Sequence, residues 1–99
     1  MAVRGETSEK TRSHIREPKR YQVIMHNDDY TPMEFVVDIL MGIFHKGEGE
    51  ANMLMLKVHH EGEAAVGSYS YDIAQTKVRM ATEMAEDEGY PFRLSIREV

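Results

Sequence analysis

The spacing of apolar and polar positions changes several times along the chain, and each change marks an element. Tyr21–His26 (YQVIMH) is short, β-branched and aromatic, which predicts a strand. The NDDY that follows is turn chemistry, because Asn and Asp side chains bond their own backbone. Thr31, Pro32 and Glu34 then fit a capping box, with Thr at N-cap, Pro at N1 and Glu at N3. They open a predicted helix to about Phe44, whose Val36, Leu40, Ile43 and Phe44 share one face. Gly47 and Gly49 loosen the connection to a second helix over roughly Glu50–Glu61, which Gly62 ends. Ala64–Tyr69 reads as a second strand. Ser70 is placed to cap a third helix over Tyr71–Glu88. Its Ile73, Ala74, Lys77, Val78, Ala81, Met84 and Ala85 recur at helical spacing, and Gly89 stops it. Strict alternation from Phe92 to Arg97 predicts a last, half-buried strand. The order is β-α-α-β-α-β. It predicts an α+β fold, a three-stranded antiparallel sheet packed against three helices.

Composition narrows the class. The chain has 99 residues, room for one domain, with 41% hydrophobic and 29% charged residues. It contains no Cys, which excludes disulfides, thiolate catalysis and Cys-based zinc sites. Its longest apolar runs are far short of a membrane span. MAVRGETSEK lacks the apolar core of a secretory signal, so a cytoplasmic location is expected. The net charge of −5 is unevenly spread: residues 1–20 carry six Lys/Arg and three Asp/Glu, a net of +3, and residues 21–99 carry six and fourteen, a net of −8. An acidic body repels phosphate backbones and favours cationic ligands, so nucleic acid is not an expected partner, nor is a membrane. The first stretch is poor in apolar residues and aperiodic. Residues 1–19 are expected to be a disordered N-terminal extension and residues 20–99 the folded domain.

Two groups could carry chemistry. Asn27-Asp28-Asp29 lies between a strand and a helix. It is either a plain turn with acids near a positive helix N-terminus or a cation site. A carboxylate and an amide oxygen are natural acceptors for an ammonium, which only donates. The five His residues are at positions 14, 26, 45, 59 and 60. None pair at i, i+4, so no helical zinc motif exists. No nucleophile, ligand set or oxyanion loop has a recognisable spacing, so Asp28, Asp29 and His59 do not suggest a hydrolase, and no enzyme is expected. His59 is either a half-buried helix residue or part of the cation site. Eight Met residues, with Met33, Met53 and Met55 on the first two helices, serve equally as core filler or as an adaptable apolar pocket.

YQVIMHNDDYTPMEFVVDIL closely resembles the strand–loop–helix signature of the ClpS family, the adaptors of the bacterial N-end rule pathway. ANMLMLKVHHEG resembles the family's second helix, DIAQTKVRMA its third and GYPFRLSI its last strand. The resemblance covers about residues 20–97. It implies a protein that binds chains beginning with a bulky hydrophobic residue (Leu, Phe, Tyr or Trp) and delivers these N-degron substrates to a Clp AAA+ unfoldase for proteolysis. Asn27, Asp29 and His59 would hold the substrate's α-amino group, Asp29 in part through water. Met33 would guard the pocket mouth. Thr31, Val36, Met55, Val58 and Phe92 would line the side-chain pocket, with Met25, in place of a smaller aliphatic residue, counted among them. Asp72 and Lys77 would contact the N-terminal domain of an unfoldase of ClpA or ClpC type, which residues 1–19 would engage during handover. No cofactor or metal is implied. The alternative is a module of the same fold that docks on the unfoldase and alters its substrate choice without binding N-degrons.

Overall fold

The computed structural model describes residues 19–99. The expected N-terminal extension therefore lies outside the described residues, apart from Lys19. Six elements follow in the predicted order: β1 (Tyr21–His26), α1 (Met33–Gly42), α2 (Glu48–Glu61), β2 (Glu63–Tyr69), α3 (Tyr71–Glu88) and β3 (Arg93–Glu98). β1 is the central strand of an antiparallel sheet of order β2-β1-β3. Tyr21 faces Tyr69 on one side and Glu98 on the other, and His26 faces Glu63 and Arg93.

The period-2 alternation of β1 sends Val23 and Met25 to the helix side of the sheet, where both are fully buried with Ile39, Leu40, Ala51 and Val58. α3 approaches through Ala74, Ala81 and Ala85, which are at most 1% exposed. Their small side chains, at i, i+7 and i+11, let the helix lie close to the strands. The β1–β2 register shifts between Val23 and Ile24: Val23 faces Gly67, but Ile24 faces Ala65. The extra residue, Val66, is buried in the manner of a β-bulge. Beside it, the ring of Tyr69 folds over Gly67 so closely that a β-carbon there would overlap the ring. Burial holds the Tyr69 hydroxyl pKa above its ordinary value.

Several local expectations change. The capping box does not form. Pro32, in an extended conformation, is the N-cap of α1, and its carbonyl accepts from the N–H groups of Phe35 and Val36 at 3.1 and 3.3 Å. The Thr31 hydroxyl donates to Asp28 instead. Ser70 does occupy the N-cap of α3, but makes no side-chain capping bond. α1 ends at Gly42, short of Phe44. The chain then tightens, with Phe44 N–H reaching back to the Ile39 carbonyl and Lys46 N–H to that of Leu40, and His45 takes a left-handed φ of 58°. α2 begins two residues earlier than expected, and β3 runs one residue later. Gly62 and Gly89 end α2 and α3 at φ 92° and 79°, where an L side chain would be strained. Ile73 and Met84 share the apolar spacing of α3 but are 48% and 44% exposed; the three alanines, not these residues, face the sheet.

Candidate functional site

The loop after β1 is shaped by one carboxylate. Asp28 accepts from the backbone N–H groups of Tyr30 and Thr31 at 2.8 and 2.7 Å, and from the Thr31 hydroxyl at 2.8 Å. Partial burial pushes its pKa up, but the three hydrogen bonds from Thr31 and Tyr30 outweigh that and hold it below the ordinary carboxylate value. The Asn27 N–H donates to the Gly62 carbonyl at 2.9 Å. That bond ties the loop to the end of α2, the end that carries His59.

Loop, α1 and α2 together enclose a depression of about 180 Å³, lined by Asn27, Asp28, Asp29, Thr31, Met33, Val36, Met55, Val58 and His59. Its polar groups come from the loop and from His59. Its apolar groups come from the facing sides of α1 and α2. Val36 and Val58 are buried, whereas Met33 is 45% exposed. The volume lies below the roughly 300–1,000 Å³ of pockets for drug-sized molecules, a scale suited to one large side chain. Oxygen and imidazole acceptors stand on one side, suited to an ammonium. Thioether and branched aliphatic groups stand on the other, suited to a hydrocarbon. His59 lies edge-on to His60, ring centroids 5.3 Å apart.

Seven of the expected binding residues thus meet: Asn27, Asp29, Thr31, Met33, Val36, Met55, Val58, with His59 as the eighth. Two do not line the depression. Met25 is fully buried in the core, because the strand's pleat points it under the helices. Phe92 is also buried, its ring edge-on to Phe35 at 5.9 Å between centroids. Asp28, read in sequence as turn chemistry, both shapes the loop and lines the depression.

The remaining pair separates. Asp72 is exposed in the first turn of α3. The Lys77 ammonium is turned inward: it donates to the Ile43 carbonyl at 2.6 Å, with the Phe44 and Tyr69 rings 5.8 and 5.3 Å away. A second and larger cavity, about 530 Å³, lies between α1 and α3, lined by Glu34, Phe35, Asp38, Met84, Asp87, Glu88 and Tyr90. In the sequence its only trace is the i, i+4 spacing of Glu34 and Asp38 and the Asp87-Glu88 pair. That they face each other is a tertiary fact.

A depression with ammonium acceptors at one edge and apolar walls on the other has the chemistry of a binding module. Comparison with known proteins identifies it further. Residues 16–95 match the family model described as ATP-dependent Clp protease adaptor protein ClpS. The ClpS adapter of Syntrophus aciditrophicus is 51% identical over 85 residues, covering 86% of this chain and 79% of that one. That of Wolinella succinogenes is 47% identical over 101 residues, 99% of each chain. Among solved structures, Agrobacterium tumefaciens ClpS2 bound to L-phenylalaninamide superposes with a TM-score of 0.81 at 36% identity, covering 84% of this chain and all of that one. The chain belongs to the ClpS family of Clp protease adaptors. It is an adaptor and not an enzyme.

Proposed function

We propose that the depression binds the first residue of a protein chain when that residue is large and hydrophobic, and that the adaptor presents such chains to a Clp AAA+ unfoldase. The observation that carries this reading is the joining, in one small depression, of ammonium acceptors from Asn27, Asp29 and His59 with the apolar walls of Met33, Val36, Met55 and Val58. The ligand of Agrobacterium ClpS2, L-phenylalaninamide, has the same two features: a free α-amino group and a bulky side chain.

A chain's first residue differs from every internal one by its α-ammonium. Burying a Leu or Phe side chain contributes about 1.5–3 kcal/mol, and a hydrogen bond to a charged group roughly 1.5–3 kcal/mol. Association costs on the order of 4 kcal/mol or more, so neither the side chain alone nor a single bond to the ammonium suffices. The site therefore detects a coincidence of free amine and large side chain. His59 accepts from the ammonium only as the neutral imidazole. Met33, at the mouth, leaves little room for branching at the first side chain's Cβ and so selects against Ile and Val. Asp72, exposed on α3, belongs to the face offered to the N-terminal domain of the unfoldase. Lys77 serves that face from beneath, by fixing the turn after α1. The cytosol, where Clp substrates arise, is the place of action.

The test is a fluorescence anisotropy panel of peptides differing only in residue one, each with and without N-acetylation. Free Leu-, Phe-, Tyr- and Trp-first peptides should bind, and their acetylated forms should not. Equal binding of acetylated and free peptides would remove the amine from the account.

A further inference from the structure

The larger cavity has no part in holding an amino terminus, yet its chemistry is specific. Phe35 and Tyr90 meet edge-on at 4.9 Å between centroids and, with Met84, form an apolar floor. Glu34 and Asp38 of α1 form one wall, Asp87 and Glu88 of α3 the other. No Lys or Arg lines the groove, and among the described residues none of these four carboxylates has an ion-pair partner. Such a groove suits a segment whose cationic heads reach the walls while their methylene stems lie on aromatic rings.

We propose that this groove is the docking site of the chain's own N-terminal segment, through Lys10 and Arg12. Residues 1–20 hold half of the twelve Lys and Arg in the chain, and the run Lys10–Arg16 (KTRSHIR) carries three cations and no acid. The remaining body, at a net of −8, is the natural counter-charge. Length also fits. Tyr21 lies edge-on to Tyr71, at 5.1 Å between centroids, so the segment joins the domain near the start of α3. Met84 to Glu88 lie about 20–26 Å further along that helix at 1.5 Å per residue. An extended chain covers about 3.3 Å per residue, so the part around Lys10 and Arg12 reaches the groove. Tethering gives the segment an effective concentration on the order of millimolar, ahead of any free basic peptide at lower concentration. The groove thereby stores the segment away from the degron depression, on the other side of α1.

Paramagnetic relaxation in the full-length protein tests this. The chain has no Cys, so Ser8→Cys accepts a single nitroxide. The label should broaden the Met84 methyl and the Phe35 and Tyr90 ring signals several-fold more than the Met53 methyl, an exposed reference on α2. The effect should vanish in K10E/R12E, which leaves the folded domain untouched, in E34Q/D38N/D87N/E88Q, and at about 0.5 M salt, where charges are screened within several ångströms. Binding of a Leu-first peptide should be unchanged in both variants. Equal broadening at Met53 and Met84, or broadening that survives K10E/R12E, overturns the proposal. So does broadening seen only between a labelled copy and a separate isotope-enriched copy, which would make a second molecule the occupant.

Discussion

Replacing Lys77 by Met separates a half-buried structural cation from a free surface one. The Lys77 ammonium donates to the Ile43 carbonyl at 2.6 Å, between two aromatic rings. Ile43 is the C-cap residue of α1, and its carbonyl is among the last of that helix, which have no partner within it. A hydrogen bond from a charged group contributes about 1.5–3 kcal/mol, and leaving a buried acceptor unpaired costs about 1–3 kcal/mol; these describe the same loss and are not summed. Met keeps most of the apolar stem, so packing changes little. The expected loss is therefore about 2 kcal/mol. For a domain of this size each kcal/mol shifts Tm by roughly 4–8 °C, so Lys77→Met should melt about 8–16 °C lower by calorimetry, with a matching fall in urea midpoint. Lys77→Arg, which can still donate, should recover part of the loss. A surface lysine whose role was only to touch a partner would cost within about 0.5 kcal/mol. A Lys77→Met protein as stable as the parent would refute the internal role.

Other outcomes follow from the same geometry. Asn27→Ala should weaken the binding of a Leu-first peptide, read by anisotropy, by about 5- to 150-fold, since an ammonium donor is left without its acceptor at a cost of about 1–3 kcal/mol. Met33→Ala should admit Ile- and Val-first peptides; unchanged rejection of both would count against Met33 as the selective residue. Asp28 has a folded pKa below its ordinary 3.8, so its stabilisation is full above that value and is lost as pH falls through the lower folded one. In urea titrations the stability gap between the parent and Asp28→Asn should hold near neutrality and close in strong acid; a gap that widens in acid would reverse the sign. Gly67→Ala should displace the Tyr69 ring and cost about 1–3 kcal/mol, and an unchanged near-ultraviolet circular dichroism spectrum would show the ring had not moved.

The elements themselves were legible along the chain because their signals are local. β1 is β-branched and aromatic, β3 alternates, α2 and α3 end at glycines with positive φ, and the helical spacing of α3 runs unbroken. Where a local signal had a competitor, the reading slipped. Thr31 had the spacing of an N-cap, but Asp28, three residues earlier, took its hydroxyl, and the helix began after Pro32 instead. Spacing on α3 grouped Ile73 and Met84 with its alanines, yet periodicity cannot say which part of a stripe meets the sheet. Resemblance placed Met25 and Phe92 in the binding pocket, but the pleat of β1 and the stacking on Phe35 take both into the core.

What the amino-acid order determined alone was the kind of chemistry available: an acidic body, a loop of acceptors after a strand, and methionine-rich helices able to wall an apolar hole. Tertiary structure decided which of these groups meet. The bond from Asn27 to Gly62 brings a loop and a histidine more than thirty positions apart to one depression, and the Lys77–Ile43 bond gives a cation on the helical stripe of α3 a partner 34 positions away. Facing acids across the α1–α3 groove belong to the same category. Helix and strand periods are set by neighbours a few residues away, whereas a site is set by contacts between elements, and those depend on how the whole core packs.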